Sequence, residues 1–322
     1  MMLPGNSEAI NKAKHAQAHM DSVSVALYAL KYRIAFLEKK GVEFQNWFAK
    51  LGNHALSTDF EEVRPDGKQG DWKCDGRQVS TGTIFQCYAP ETPTARKTID
   101  KINADFTGAI EKWPDFMEKW VFVHNVAGGQ PPSVVSHLDT LRKAHQNILF
   151  EIWAENEIRI WHNMLDEDGL LSMYGHVPTQ QTVSGLELED LKPIIDALAQ
   201  IDPDPSDPLP PPPSENKLEK NALSPEAADL LRLGRRKVRL VEDYFGKVEA
   251  ADIGEKIAQS FRHRYAELDT MGLEPDRIFT YLQEFAGMTG SPKRQAAAMA
   301  VLAYFFDRCD IFDDPEDQAA IS

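Results

Sequence analysis

The chain changes its hydrophobic grammar once. Up to about residue 201, apolar positions follow strand and helix periods in turn; beyond about residue 216 they follow the helical period alone. Residues 7–40 read as a helix, with Val25, Leu27, Leu30, Ile34 and Leu37 at helical spacing and Gly41 at its end. Glu43 to Leu51 reads as a second helix, with Phe44, Trp47 and Phe48 on one face. Phe60 to Pro65 and Thr83 to Tyr88 read as strands, the second a β-branched and aromatic run (TIFQCY). Lys97 to Trp113 carries Ile99, Ile102, Phe106, Ile110 and Trp113 in one stripe, which predicts an amphipathic helix. Trp120 to His124 (WVFVH) is nearly all apolar and suits a buried parallel strand. A Gly/Pro loop follows from Asn125 to Pro132, then a helix from Ser133 to His145 and a strand from Ile148 to Trp153. Glu187 to Ile201 closes this half as a helix. Strands alternating with helices predict an α/β fold.

Asp202 to Ser214 (DPDPSDPLPPPPS) breaks the pattern. Consecutive prolines favour polyproline II and cannot continue a helix, so the stretch reads as a semi-rigid spacer, with a proline-motif ligand as the alternative. After it come helices over 226–247, 252–270, 275–287 and 292–308. Ser224-Pro225 and Ser291-Pro292 are N-cap and N1-proline starts. The predicted organisation is one domain over 1–201, with 1–40 as a leading helix, a linker over 202–215, and an all-α domain over 216–322.

Composition narrows the chemistry. With 322 residues, 42% hydrophobic and 26% charged, the chain has ordinary globular usage and room for a sizeable core. Three cysteines give no paired framework, and no stretch approaches a membrane span, so a cytoplasmic setting is expected. The net charge of −15 argues against tight autonomous binding to nucleic acid and fits a protein that meets DNA through a metal, an oligomer or a partner. There is no Walker-type loop, no G-x-S-x-G and no paired Cys/His zinc pattern, and Gly128-Gly129 lacks the phosphate-binding context.

The candidate chemistry lies in Gly70 to Pro90 (GDWKCDGRQVSTGTIFQCYAP). Asp71 and Asp75 sit in a Gly-bounded turn around Lys73, and a short linker leads to the strand. Alternation along that strand puts Gln86 and Tyr88 on one face, Phe85 and Cys87 on the other. An acidic turn feeding such a strand can hold a hard divalent cation such as Mg²⁺, which needs only one or two carboxylates beside water and phosphate. The plainer alternative is a β-turn with surface aspartates. His124, at the end of a buried strand, reads mainly as a structural histidine. Arg232 to Arg239 (RLGRRKVR) holds five positive charges and reads as a helix face pairing with acid, or as a DNA-backbone contact. Tyr304, Phe305, Phe306 and Phe312 read as core, with a partner-docking surface as the alternative.

The turn and strand resemble the PD-(D/E)xK nuclease superfamily in its Mrr-like form. Asp75 matches the metal-binding Asp and Gln86 the Gln that replaces Glu. Tyr88 stands where that family carries Lys. Two longer stretches, FQNWFAKLGNHALSTDFEEVRPDGKQGDWKCDG with FQCYAPE, KINADF and WVFVHN, and the C-terminal VLAYFFDRCDIFDDP, resemble effectors of ABC-three-component defence systems, of which Lamassu is the best-known group.

The resemblance implies an α/β restriction-endonuclease-like N-terminal domain plus an all-α C-terminal domain that binds partners and regulates. It implies an Mg²⁺- or Mn²⁺-dependent DNA endonuclease whose metal is held by Asp75, Asp71 and Gln86. Lys73 would take the missing Lys role, and Glu43 would be an acidic residue facing the metal from an early helix, unless it is simply a solvated first-turn Glu. The nuclease would be silenced by an SMC-like ABC ATPase and a small third subunit and activated as a homo-oligomer on double-stranded DNA. Rival readings are a catalytically dead adaptor and a stand-alone Mrr-like restriction enzyme.

Overall fold

The computed structural model describes residues 20–63, 72–200, 217–247, 253–308 and 310–312. By contacts the chain divides into two units, one built from Ala35–Tyr174 and the other from Met20–Ile34 with Gly175 onward. The boundary expected at the proline-rich stretch lies outside the described residues. The first helix, α1 (Ser22–Glu38), contributes to both units, changing over between Ile34 and Ala35. Residues 7–19 of the long predicted helix lie outside the described residues.

The first unit is a mixed sheet covered on both faces. In order come α2 (Gly41–Leu56), β1 (Phe60–Glu62), β2 (Gly76–Gln78), β3 (Thr83–Tyr88), α3 (Ala95–Lys112), β4 (Lys119–His124), α4 (Pro132–Ala144), β5 (Leu149–Trp153), α5 (Glu155–Asn163) and α6 (Glu167–Tyr174). The five strands lie side by side in chain order. β1, β2 and β3 pair antiparallel; β3, β4 and β5 pair parallel, with Thr83 opposite Lys119 and Lys119 opposite Leu149. The apolar run at β4 is therefore the buried parallel strand that its composition predicts, with Trp120 to Val123 fully buried. On one face Ile84, Trp120, Phe122 and Phe150 pack under Ile102, Phe106 and Ala109 of α3 and Val134 and Leu138 of α4. On the other, Phe60, Phe85 and Trp153 meet Phe48 of α2 and Trp161 of α5 through rings 5.0–6.4 Å apart. Each buried aromatic contributes roughly 1.5–3 kcal/mol.

The sequence reading passed over β2 as a linker. Three residues bounded by glycine carry no period, and only pairing with β1 and β3 makes them a strand. It also passed over α5 and α6, which are too short and too mixed to show a stripe.

The second unit is helical: α7 (Gln180–Ser184), α8 (Leu188–Leu198), α9 (Lys217–Lys220), α10 (Pro225–Arg235), α11 (Val238–Lys247), α12 (Ile253–Thr270), α13 (Pro275–Phe285) and α14 (Pro292–Asp307). The 226–247 stretch is thus two helices. Ser224 and Ser291 cap as expected, their hydroxyls accepting from the N–H groups of Ala227 and Arg294. α14 is the centre: every residue from Gln295 to Phe306 is buried, as expected of a helix that is apolar all round. α10 approaches it closely because Gly234 has no Cβ; one there would lie 2.5 Å from the Met299 carbonyl oxygen. Tyr304, Phe305, Phe306 and Phe312 are core, which removes them as a docking surface.

Candidate active site

The antiparallel register of β2 and β3 sets Gly76 opposite Phe85, so the preceding residue, Asp75, comes to face Gln86. The Gln86 side-chain amide donates to Asp75 Oδ2 at 2.8 Å, and the Cys87 backbone N–H donates to the same oxygen at 2.7 Å. The Asp75 N–H in turn donates to the Phe85 carbonyl at 2.9 Å. Asp75 is 8% exposed and Gln86 1%. The other end of the amide, Gln86 Oε1, is buried without a hydrogen-bond partner. Leaving such an acceptor unmade costs about 1–3 kcal/mol, and an orphan of that kind in a folded interior calls for a reason. Burial, the Asp75 carboxylate and Cys74, in that order, push the Cys87 thiol up, so it stays protonated.

Strand alternation falls as the sequence predicts. Phe85 joins the Phe48–Trp161 cluster, while Tyr88 packs its ring 6.0 Å from Phe122 on the α3–α4 side. The polar pair does not, however, look into open space. Gln86 is sealed and Tyr88 half-buried, because α3 and α4 cover that face. His124 pairs with Tyr88 in register. Its Nδ1 accepts from the Val126 N–H at 3.1 Å, and burial lowers its pKa to about 4. It is therefore neutral at pH 7 with its proton on Nε2, a structural histidine closing the end of β4.

The turn before Asp75 is strained. Trp72 and Lys73 have φ of 52° and 59°, a left-handed conformation that costs roughly 1–2 kcal/mol per non-glycine residue. Contacts with α3 and the residues just beyond it hold it there. The Trp113 indole N–H donates to the Trp72 carbonyl at 3.0 Å, and the two rings meet edge to face. Lys73 Nζ lies 3.3 Å from Asp105 Oδ1 on α3. The Lys73 stem lies where a Cβ on Gly108 would sit, 2.6 Å from its Cγ, so the Phe106-Thr107-Gly108-Ala109 face is shaped for this lysine.

Asp105 is the residue that sequence reasoning missed. It is fully buried and also meets Lys101 Nζ at 2.7 Å. The available signal was a carboxylate set beside the apolar stripe positions Ile102 and Phe106, four residues after a lysine.

Asp71 lies outside the described residues. Glu43 is exposed in the first turn of α2, and none of the hydrogen bonds given above for Asp75 and Gln86 comes from it. Among the described residues there is no group of three or more His, Cys, Asp or Glu side chains that could hold a metal; of the expected ligands, those that are described are the Asp75 carboxylate and the Gln86 amide oxygen. Those are oxygen donors of the right kind, and the partnerless Oε1 fits such a role. In the basic run, Arg232 pairs with Asp229 and Arg235 with Asp307, which favours the acid-pairing reading for those two, while Lys237 donates to the Ser184 carbonyl.

The fold and site define an α/β unit with a buried carboxylate–amide pair, followed by a helical unit. Residues 189–313 match the model of C-terminal domain 10 of the ABC-three component (ABC-3C) systems, which supports membership of the chain in that family of systems. Comparison with curated proteins and with solved structures finds no match. No helix among the described residues is long and apolar enough to cross a membrane.

Proposed function

We propose that the chain is the metal-dependent DNA endonuclease effector of an ABC-3C antiphage defence complex. The observation that carries this reading is the buried Asp75–Gln86 pair with its partnerless amide oxygen, on adjacent antiparallel strands. The order helix, three antiparallel strands, helix, parallel strand agrees with a restriction-endonuclease-like domain. The helical match at 189–313 supplies the link to a multi-subunit system.

Asp75 and Gln86 would hold Mg²⁺ or Mn²⁺ through oxygen. The ion, when bound, would neutralise charge on the scissile phosphate and lower the pKa of a bound water. Lys73, held by Asp105, would set a positive charge against the phosphate as negative charge develops. Tyr88 offers a hydroxyl where the resembling family has an ammonium, and His124 beside it adds no charge at neutral pH. A chain of net charge −15 gains little from DNA phosphates by itself, which supports silence until an SMC-like ATPase partner, a third subunit or self-association completes the DNA-binding surface.

A second reading is an adaptor with a dead site. It is favoured by Asp75 Oδ2 already taking two N–H groups and by Tyr88 packing into the apolar cluster. Plasmid degradation decides between them. Wild type and Asp75→Ala are run with Mg²⁺, with Mn²⁺ and with EDTA, alone and with the products of the neighbouring genes. Metal-dependent cutting that disappears in the variant establishes the nuclease. No cutting in any arm, with partner binding retained, establishes the adaptor.

A further inference from the structure

We propose that Trp72, braced by Trp113 and Arg77, is a stacking platform for an unpaired nucleobase of the DNA strand brought to Asp75 and Gln86. The platform rests on the nuclease reading for its ligand, and its residues belong to no part of the Asp75–Gln86 pair.

Of the three rings gathered by the end of α3, Trp113 and Phe116 are half-buried and Trp72 is 40% exposed. Trp72 is the one exposed tryptophan among the described residues, and it stands in a left-handed conformation that a bulky side chain seldom adopts. Trp113 gives its indole N–H to the Trp72 carbonyl at 3.0 Å, and the two ring centroids are 5.5 Å apart, edge to face. Trp113 is fixed in turn. Its ring lies 5.9 Å from that of Phe116, and the Arg77 guanidinium carbon sits 5.0 Å from the centre of the first and 4.9 Å from the centre of the second. Arg77 is paired with Glu61, its neighbour in register across β1 and β2, through Nε at 2.6 Å and Nη2 at 2.5 Å from one carboxylate oxygen. The cation is balanced, so the cluster offers a nucleic acid a ring rather than a charge. A strained backbone, a hydrogen bond and a cation–π contact thus hold one indole at the surface, where burial gains it little. A ring held in this way is suited to stacking. A base on an aromatic face needs no particular sequence and no neutralised phosphate, which suits a chain of net charge −15. Trp72 precedes Asp75 by three residues, a reach of at most roughly 11 Å, or about three nucleotide steps at roughly 3.4 Å each. A base inside a duplex has both faces covered by its neighbours, so the platform selects single-stranded or frayed DNA.

The test is fluorescence anisotropy of a labelled oligothymidylate binding the full chain in Ca²⁺, with its partners where the chain alone binds too weakly to titrate. A second strand of the same length carries abasic sites, which keep the phosphates and remove the bases. Trp72→Ala is expected to weaken binding of the oligothymidylate by roughly 5- to 150-fold, the scale of one lost base–aromatic stack, with an unchanged dependence on salt. Trp72→Phe, which keeps a ring, should retain most of the affinity, and neither variant should change binding of the abasic strand. The ring is exposed, so thermal midpoints near wild type are expected and are measured alongside. Equal affinity of wild type and Trp72→Ala for the oligothymidylate overturns the proposal, as does an equal loss on the abasic strand, or wild-type protein that binds no strand alone or with partners. Partner capture lost in Trp72→Ala with strand binding intact also overturns it and assigns the ring to a protein contact. Cleavage assays on the same variants and on Asp75→Ala separate the two readings. Cutting that depends on Asp75 with strand binding indifferent to Trp72 removes the platform and leaves the nuclease. Strand binding that depends on Trp72 without cutting in any condition does the reverse.

Discussion

Both units bury polar side chains, but to different ends. In the helical unit these groups finish helices. Ser224 and Ser291 cap α10 and α14, the Asp276 carboxylate accepts from the Ser224 N–H, and Lys217 donates to the Phe306 and Ile311 carbonyls at the end of α14. Asp310 is matched by Arg262 and Arg308. In the sheet unit they pair with one another across elements: Gln86 with Asp75 between strands, Lys73 with Asp105 from turn to helix. They also leave an orphan in Gln86 Oε1. The helical unit also has buried side-chain atoms without a hydrogen-bond partner, Thr280 Oγ1 and Gln283 Nε2 among them, so the orphan alone does not set the sheet unit apart. A half-satisfied pair beside a strained turn is where a fold departs from local consistency, and such departures gather at functional sites.

That contrast can be broken by substitution. Asp75→Ala should lower metal-dependent cleavage by more than about 100-fold, the scale of losing a group that acts on transition-state charge, while circular dichroism stays native. Its stability cost should be about 2–4 kcal/mol, from the Cys87 N–H and the Gln86 side-chain amide left without that acceptor, measured by urea denaturation. In the helical unit the order reverses. Phe305→Ala, at the centre of α14 and 0% exposed, should cost about 3–5 kcal/mol with no direct effect on chemistry at the sheet. Lys217→Met, which strips two buried carbonyls of their donor, should cost about 2–4 kcal/mol.

Acid sharpens the comparison from the other side. Burial lowers His124 to about 4, and burial with Arg159 lowers His162 to about 3, both from an ordinary 6.5. Both belong to the sheet unit. A depressed folded pKa means that the unfolded chain takes up the proton first. The stability from each neutral histidine is whole above pH 6.5, falls as pH drops through the window, and is gone below the folded value. The slope is roughly 1.4 kcal/mol per pH unit per histidine, and His124→Gln should remove about half of the loss seen between pH 6 and 4. An unchanged acid slope in that variant would mean that other groups govern acid stability.

Much of this was legible in the chain. The stripe of α3, the all-apolar β4, the serine caps and the alternation along β3 come from periods and propensities that act locally. β2 was not legible, because its three residues become a strand only through partners brought in by the fold. The same holds for the site. Asp75 and Gln86 could be named from a turn and a strand, but their hydrogen bond depends on a register that runs through β2. Asp105 was hidden because a stripe shows which residues face a core and is silent about a carboxylate buried within it by two lysines. The burial of Gln86 was likewise invisible, since the cover of α3 and α4 is a tertiary fact.

The central claim is that Asp75 and Gln86 hold a divalent cation, and titration of the purified chain with Mn²⁺ by calorimetry tests it without requiring an activating partner. Wild type should show a saturable site that Asp75→Ala abolishes and Gln86→Leu weakens at least about tenfold, the scale of one missing ligand's support. Equal binding in wild type and Asp75→Ala, or no binding in either, would contradict it.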